Sequence, residues 1–225
     1  MMNKILVVED EDILREVIID YLIEDGYQVL EAPDGEKALE LFQTNLVDLV
    51  ILDIVLPKLD GWSVCRRIRK SSGIPIIILT ARSDEDDSLL GYELGADDYL
   101  IKPYSPRVLM AKVKRFLEKY SGTIDGMSMK SGSLVVNMGS RLVYADGITI
   151  NLTHTEFEIL AYLMQNKGIV ITREQLIAKV WGYDFYGDEK TVNSHIRNLR
   201  AKLGSKGNCI VTVIRSGYKF EEEQL

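Results

Sequence analysis

Residues 49–53 read LVILD, a run of four aliphatic side chains that ends on a carboxylate. A continuous apolar run of this length predicts a strand buried on both faces, as in the middle of a parallel sheet. Further strand-like runs occur at residues 5–8, 28–31, 75–80 and 98–101, and amphipathic helical patterns occur at residues 13–23, 35–43, 61–70, 84–94 and 106–118. This alternation predicts an α/β domain over residues 1–120, a doubly wound five-stranded parallel sheet covered by helices on both faces.

Polar side chains gather at one edge of this predicted sheet. Glu9 and Asp10 follow the first strand, Asp53 follows the third, and Thr80 and Lys102 end the fourth and fifth. Three converging carboxylates repel one another and need a cation, and oxygen ligands suit Mg²⁺. With a lysine and a hydroxyl beside the metal, the edge carries the groups that phosphoryl transfer uses. An acid after a strand can also simply cap the next helix, but five suitable residues at matching strand ends favour a site.

The composition of the chain limits the kind of protein that it can be. The chain has 225 residues, 46% hydrophobic and 27% charged, which is typical of a globular protein. No apolar run approaches the roughly 20 residues of a membrane helix, and no signal peptide precedes the first strand, so we expect a cytoplasmic protein without membrane contact. Cys65 and Cys209 lie too far apart for a disulfide framework or a zinc site.

The charge is unevenly spread along the chain. The net charge is −7, and the acidic excess lies in the first 120 residues, whereas the remainder is slightly basic despite the acidic run at residues 221–223. An acidic half joined to a mildly basic half predicts a different partner for each half.

A second domain follows a linker. Residues 121–132 contain three glycines and three serines and predict the linker, which leaves residues 133–225 for the second domain. Strand patterns near residues 134–137, 142–144 and 148–151 precede two helices with capping-box signals, Thr153 with Glu156 and Thr172 with Gln175. A third helix over residues 188–203 and a hairpin over residues 209–220 complete a smaller α+β winged helix-turn-helix pattern.

The third helix carries two contrasting faces. Its apolar stripe consists of Val192, Ile196, Leu199 and Leu203. The opposite face is centred on Lys190, Ser194, Arg197 and Ala201, with Asn193 and Asn198 on its flanks. Lys, Arg and Asn are side chains that reach base edges or phosphates in a major groove. A solvated helix face is the alternative, and the preceding helix, the hairpin and the domain charge favour DNA.

Motifs along the chain resemble a known family. The first half resembles the response-regulator receiver domain at Glu9-Asp10, Asp53, Pro57, Asp60-Gly61, Thr80-Ala81, Asp97-Asp98-Tyr99 and Lys102-Pro103. The second half is similar to the OmpR/PhoB output domain at Leu152-Thr153, Glu156-Phe157, Arg173-Glu174, Trp181-Gly182, His195-Ile196, Leu199-Arg200, Lys202-Leu203 and Gly217-Tyr218. The resemblance implies a flavodoxin-like receiver followed by a winged-helix domain.

The resemblance also implies roles for the residues at the sheet edge. Asp53 would accept a phosphoryl group from a sensor histidine kinase, while Glu9, Asp10, Asp53 and the backbone carbonyl of Val55 would bind Mg²⁺. Thr80 and Tyr99 would form the switch pair, and Lys102 would contact the phosphoryl group. The only two histidines, His154 and His195, lie in the second domain, so the receiver cannot supply a phosphohistidine and a separate kinase is needed.

For the second domain, the resemblance implies double-stranded DNA as the partner. The expected contacts are Lys190, Asn193, Ser194, Arg197, Asn198, Arg200 and Arg215. The family usually has Asp at the position of Asn193, and its hairpin Arg-Gly step reads Ile214-Arg215 here, so the minor-groove arginine would be shifted by one position. The aromatic loop over residues 181–187 would either contact RNA polymerase or pack onto its own domain.

Phosphorylation would favour a homodimer through the fourth helix, fifth strand and fifth helix of the receiver. Read onto this chain, the pairs across the two-fold axis are Ser88 with Val108, Asp97 with Lys112, and Asp98 with Lys119. The first pair has lost both charges, and Lys lacks the bidentate fork of Arg. With Leu89 and Val108 on this face, we expect a dimer that is more apolar and less salt-sensitive than is usual in the family.

Other functions fit the sequence less well. An aspartyl-phosphate phosphatase would want a second acid two residues after Asp53, where this chain has Val55, and a flavin carrier would want a phosphate loop where this chain has Glu9, Asp10 and Glu11. A receiver with a protein-interaction output is a third alternative, which the basic helix face disfavours. The chain is therefore predicted to be a phosphorylation-controlled transcription factor and not an enzyme.

Overall fold

The computed structural model describes residues 2–81, 92, 94–118, 128–182, 185 and 189–222. The chain divides into two compact units, Met1–Gly122 and Thr123–Leu225. Helices and strands are numbered in the order in which the structure describes them. The helix predicted over residues 84–94 lies almost entirely outside the described residues.

The first unit contains five parallel strands in the order β2-β1-β3-β4-β5. These are β1 Lys4–Val8, β2 Gln28–Ala32, β3 Leu49–Asp53, β4 Ile76–Thr80 and β5 Asp98–Ile101. Every residue of β3 and β4 is buried, as expected where helices cover both faces of a parallel sheet. The predicted doubly wound fold is confirmed.

Four helices of this unit are described, two on each face of the sheet. They are α1 Asp12–Glu24, α2 Gly35–Thr44, α3 Gly61–Arg69 and α4 Pro106–Glu118. Since alternate strand residues point to opposite faces, Ile51 packs in one apolar cluster with side chains of α1 and α4. Its neighbour Leu52 packs in a second cluster with side chains of α2 and α3.

The loop that follows β3 is fixed by a glycine and a helix cap. The carboxylate of Asp60 accepts a hydrogen bond from the backbone N–H of Ser63 at 2.9 Å and so caps α3. A Cβ atom on Gly61 would lie 2.1 Å from the backbone oxygen of Asp53. Only glycine therefore lets α3 begin this close to the end of β3, which explains the Asp-Gly pair of the sequence motif.

The second unit begins with a four-stranded antiparallel sheet. Its strands are β6 Ser128–Ser131, β7 Leu134–Asn137, β8 Leu142–Ala145 and β9 Ile148–Ile150. The first of these falls inside residues 121–132, which the sequence predicted as linker throughout. Strand β6 is polar and lies at the edge of the sheet, where backbone pairing with β7 holds it, so no alternation of apolar residues revealed it.

Three helices and a small sheet complete the second unit. The helices are α5 His154–Gln165, α6 Arg173–Val180 and α7 Glu189–Leu203. The strands β10 Val170–Thr172, β11 Ile210–Val213 and β12 Gly217–Phe220 form an antiparallel sheet in the order β10-β12-β11. Both predicted capping boxes, at Thr153 and Thr172, are present. This arrangement agrees with the predicted winged helix, with β10 as an additional strand.

One apolar cluster holds the second unit together. It joins α5, α6, α7 and both sheets around side chains such as Leu160, Trp181, Ile196 and Phe220. Among the helices that the structure describes, none combines the length and the apolar content needed to cross a membrane.

Candidate functional site

The carboxyl ends of β1 and β3 bring three acids together. Val8 pairs with Leu52 in the sheet, so the residues that follow each of them, Glu9 and Asp53, are neighbours. Carboxylate oxygens of Glu9, Asp10 and Asp53 all lie within 4.8 Å of one another, with Glu9 and Asp53 buried and Asp10 exposed. Such a set of hard oxygen donors fits Mg²⁺.

Lys102 lies between the two buried carboxylates. Its Nζ atom contacts Oε2 of Glu9 at 2.8 Å and also binds the carboxylate of Asp53. Its backbone N–H donates to the backbone oxygen of Thr80 at 2.7 Å, and its peptide bond to Pro103 is cis. The structure thus assembles the predicted acids and the predicted lysine into one cluster.

Burial and neighbouring charges together set the pKa values of Glu9 and Lys102 in this cluster. Burial raises the pKa of Glu9 to about 7, with the negative charge of Asp53 adding to the shift and the hydrogen bond from Lys102 opposing it. Burial by itself would lower the pKa of Lys102, but the hydrogen bonds to Asp53 and Glu9 raise it overall. Lys102 therefore stays charged and partly compensates the two acids.

Asp53 is held in one orientation beside an accessible loop. Its Oδ1 atom accepts a hydrogen bond from the backbone N–H of Val55 at 2.9 Å. The side chain of Val55 is 60% exposed, whereas Asp53 is 4% exposed. The backbone carbonyl of Val55, predicted as a metal ligand, belongs to this same loop.

The two predicted switch residues lie in different surroundings. Thr80 is buried at the end of β4, the strand next to the one that ends at Asp53. Tyr99 pairs with Ile78 further along the strands, and its ring packs against Tyr92 at 4.8 Å and Trp62 at 6.3 Å between centroids. The structure brings Thr80 to the acid cluster and places the ring of Tyr99 among aromatic neighbours.

Tyr104 is a residue near the cluster that the sequence did not reveal. Its hydroxyl is buried and has no hydrogen-bond partner among the residues that the structure describes. Burial raises the pKa of this phenol, and the negative charges of Glu9 and Asp53 raise it further. One tyrosine after a Lys-Pro pair carries no distinctive pattern, so only the fold shows that Tyr104 lies close to the acids.

The acids of the predicted dimer pairs bind cations within one chain, and their pairing across a two-fold axis stays a prediction. Asp97 is fully buried and binds Arg69 at 2.6 Å, while Asp98 binds Lys112 at 2.8 Å and Arg115 at 2.6 Å within the same chain. Asp97 thus binds a cation of α3, whereas Asp98 binds cations of α4, which covers the other face of the sheet.

The remaining residues of that predicted face divide into two groups. Ser88, Leu89 and Lys119 lie outside the described residues. Val108 is 39% exposed, and it is the one described member of the predicted interface whose side chain is available to a partner.

Helix α7 presents the expected cationic face. Lys190, Asn193 and Arg197 are exposed and follow one another at helical spacing, and Asn198 is partly exposed. The predicted apolar stripe of Val192, Ile196, Leu199 and Leu203 is buried.

Ser194 does not belong to the exposed face, because its side chain is buried. The helix is covered on a second side, where the ring of Trp181 packs at a tilt against the ring of the neighbouring His195, with 5.4 Å between centroids. Trp181 also contacts Phe185 at 5.1 Å, so the described part of the aromatic loop packs onto its own domain. The other residues of the loop, 183, 184, 186 and 187, lie outside the described residues.

Arg200 is engaged within the second unit, and its predicted DNA contact stays a prediction. Its guanidinium donates to the backbone oxygen of Ile210 and to the hydroxyl of Thr212, the latter at 2.9 Å. These bonds tie α7 to the hairpin of β11 and β12. Arg215 lies exposed in the turn of that hairpin with a φ of 62°, next to Ile214, which is 83% exposed.

Two motif residues, neither of which was assigned a role at the DNA face from the sequence, hold Asn193. Its Oδ1 atom accepts hydrogen bonds from Nε of Arg173 at 3.0 Å and from the hydroxyl of Tyr218 at 2.7 Å. These residues come from α6 and β12, far apart in sequence, so helical periodicity could not connect them to α7.

Comparison with known proteins agrees with both units. Residues 5–114 match the family described as response regulator receiver domain, and residues 147–220 match that described as transcriptional regulatory protein, C terminal. The chain is 42% identical to the uncharacterized transcriptional regulatory protein YclJ of Bacillus subtilis over 98% of this chain and all of that protein. It is 40% identical to the sensory transduction protein RegX3 of Mycobacterium tuberculosis, again over 98% of this chain and all of the relative.

Solved structures of the same family are also similar to this chain. A mutant of RitR matches 98% of this chain and all of its own with a TM-score of 0.79 and 28% identity. The response regulator DrrB of Thermotoga maritima, an OmpR/PhoB homolog, matches over the same shares with a TM-score of 0.54 and 33% identity. The chain therefore belongs to the OmpR/PhoB family of two-component response regulators, which are DNA-binding regulators of transcription.

Proposed function

We propose that this response regulator accepts a phosphoryl group on Asp53 from a sensor histidine kinase and then binds specific DNA as a homodimer in the cytoplasm. The observation that supports this most is the cluster of Glu9, Asp10 and Asp53 with Lys102 bound to two of the acids. Asp53 alone of these acids ends a fully buried central strand.

The transfer step fits the geometry of this cluster. A carboxylate oxygen of Asp53 forms a bond to phosphorus while the phosphorus–nitrogen bond of the phosphohistidine breaks, and the electron pair returns to the imidazole of the kinase. Lys102, already beside Asp53, would donate to the phosphoryl oxygens. Mg²⁺, held by Glu9, Asp10, Asp53 and the carbonyl of Val55, would supply positive charge that offsets both the acids and the phosphoryl group.

The output of this step would be a change at the ends of β4 and β5. Thr80 ends the strand beside that of Asp53, and its hydroxyl would bind a phosphoryl oxygen. A shift of Thr80 would alter the space available to Tyr99. Two aromatic neighbours on the ring of Tyr99 give this residue a packed position that such a shift would disturb.

DNA would be recognised by α7 and the hairpin that follows it. Lys190, Asn193 and Arg197 form an exposed polar row of the kind that enters a major groove, with Asn198 at its edge. Arg215, exposed at the hairpin turn, would reach the adjacent minor groove. RNA polymerase would be contacted after this docking, through those residues of the 181–187 loop that lie outside the described set.

Dimerisation would use an apolar part of the predicted face. Because Asp98 already binds Lys112 and Arg115 internally, these charges are engaged within one receiver. The exposed side chain of Val108 supports an interface with little charge. A two-fold pair of receivers would bring two output domains to two half-sites and raise the effective concentration of the second.

The test is mass spectrometry of the intact chain after incubation with acetyl phosphate and Mg²⁺. The parent should gain one phosphoryl group, and Asp53→Asn should remove it. Asp20→Asn, on the exposed face of α1, is the matched control and should keep the adduct. Lys102→Ala should retain the acceptor and lower only the yield. A phosphoryl group that persists on Asp53→Asn would reject Asp53 as the acceptor.

A further inference from the structure

Asn193 on the exposed side of α7 is locked by two donors. Arg173, from α6, donates through Nε to its Oδ1 atom at 3.0 Å, and the hydroxyl of Tyr218, from β12, lies 2.7 Å from the same oxygen. The guanidinium of Arg173 also stacks over the ring of Tyr218 at 5.1 Å. Three elements of the second unit therefore converge on one amide.

These contacts decide which end of the amide faces outward. A guanidinium carries donors and no acceptor, so the group that faces Arg173 must be the oxygen of Asn193. Turning the amide over would set its N–H bonds against those of the guanidinium. With both lone pairs of the oxygen engaged, the NH₂ group of Asn193 points away from Arg173 and Tyr218.

We propose that Asn193 is a dedicated hydrogen-bond donor to DNA and that Arg173 and Tyr218 are positioning residues that fix its polarity. This inference rests on the proposed docking of α7 in the major groove. Lys190 and Arg197 lie on the same exposed side, so the amide would sit between two cations that face the duplex. Its partner would be an acceptor of the DNA, either a purine N7, guanine O6 or thymine O4 atom, or a phosphate oxygen.

An aspartate at this position separates the donor role from a structural one. Asn193→Asp keeps an oxygen for both positioning residues and makes those hydrogen bonds charge-assisted. The outward atom becomes a second carboxylate oxygen, which DNA acceptors repel. A purely structural asparagine would therefore tolerate the change, whereas a donor to DNA would not.

The experiment starts from a pool of randomised DNA duplexes. The parent chain, treated with acetyl phosphate and Mg²⁺, is used to enrich a binding duplex, and that duplex is the probe for all variants. We expect Asn193→Ala to bind it about tenfold more weakly and Asn193→Asp about a hundredfold more weakly, as for loss and reversal of one base-reading contact. The thermal unfolding midpoint of Asn193→Asp should equal or exceed that of the parent.

Tyr218→Phe tests the positioning role, because it keeps the ring and removes one donor to the amide. It should weaken binding on its own and have no further effect in the Asn193→Ala background, since the amide that it orients is then absent. Equal losses in both backgrounds would overturn the positioning role.

Repeating the enrichment with the Asn193 variants identifies the acceptor. A base acceptor predicts a changed preference at one position of each half-site, and a phosphate acceptor predicts a uniform loss with unchanged preference. Parental affinity in Asn193→Asp would overturn the inference. If the parent enriches no duplex at all, the proposed DNA docking fails, and that result is distinct from a failure of Asn193.

Discussion

Charged groups in the two units are held in opposite ways. In the first unit, Glu9 and Asp53 are buried and share Lys102, whereas Lys190 and Arg197 of the second unit lie exposed on α7. A buried charge needs compensation within the protein, so removing its partner is costly. An exposed charge contributes little to stability and is available to a ligand. The first arrangement suits a site that reacts with a small group, and the second suits a surface that docks on a polyanion.

The largest effect on stability is expected at Arg69, whose positive charge compensates the negative charge of the fully buried Asp97. Its guanidinium binds Asp97 at 2.6 Å and also donates to the backbone oxygens of Gly95 and Ile74, each at 2.7 Å. Arg69→Met should lower the free energy of unfolding by about 3–5 kcal/mol, because it removes the guanidinium that compensates the buried charge of Asp97. Urea denaturation measures the change.

Arg66, exposed on the same helix, provides the control for that experiment. Arg66→Met should change the free energy of unfolding by less than about 0.5 kcal/mol, as for other surface substitutions. Similar losses of unfolding free energy in the two variants would show that burial does not decide how much a charged residue contributes to stability.

The next largest effect concerns Mg²⁺ at the acid cluster. A cation at about 100 times its dissociation constant should stabilise the parent by about 2.7 kcal/mol, since it binds only the folded chain. Asp10→Asn, an exposed member of the cluster, should reduce this gain without a large effect on the metal-free protein. Glu11→Gln, the exposed neighbour outside the cluster, should leave the gain intact, and thermal unfolding with and without Mg²⁺ compares the three. If Mg²⁺ stabilised Asp10→Asn as much as the parent, Asp10 would not be a ligand of the metal.

On the exposed face of α7, each substitution should act on DNA binding and spare stability. Arg197→Ala should weaken binding to the enriched duplex by about 1–3 kcal/mol and relax the preference at one base pair. Lys190→Ala should instead lower the slope of log K against log salt by about one. Fluorescence anisotropy at several salt concentrations distinguishes them.

Lys130 on the four-stranded sheet supplies the control for the DNA experiments. It is exposed on β6, which belongs to the four-stranded sheet and not to α7 or the hairpin after it, so Lys130→Ala should bind like the parent. If Arg197→Ala and Lys190→Ala also bind like the parent, the assignment of this face to DNA is incorrect.

The smallest effect is expected at the receiver dimer. The phosphorylated receiver should dimerise almost as well at high salt as at low salt, because Asp98 already binds Lys112 and Arg115 within the chain. Val108→Glu should weaken the dimer by about 1 kcal/mol or more, whereas Lys114→Glu, on an exposed position of the same helix, should change it less. Sedimentation velocity gives both values. A dimer that dissociates steeply with salt would contradict an apolar interface.

Predictability from the sequence also differs between the two units. In the first, the carboxyl ends of parallel strands meet at one edge, so strand spacing was enough to bring Glu9, Asp53 and Lys102 together in the prediction. The strand period was not enough to assign partners to Asp97 and Asp98, because their cations come from helices whose contacts depend on tertiary packing.

In the second unit, helical periodicity predicted the buried stripe of α7 but not its second covered side. Ser194 was assigned to DNA from its position on a helical projection, and Arg200 was assigned to DNA from the resemblance to the output domain. Ser194 is buried on a second covered side of the helix, and the side chain of Arg200 binds the hairpin. Both positions depend on contacts with segments that are distant in sequence. Contacts of Arg173 and Tyr218 with Asn193 escaped prediction for the same reason.

The bonds from Arg200 to Ile210 and Thr212 have a mechanical consequence. They join the C-terminal half of α7 to β11 of the hairpin, so they restrict movement of the hairpin relative to the helix. If α7 docks in the major groove and Arg215 in the minor groove as proposed, these bonds would limit how far the length of duplex between the two contacts can vary. An operator with one base pair inserted between the two contacts would satisfy only one of them, and the protein could not recover the other by adjusting its hairpin.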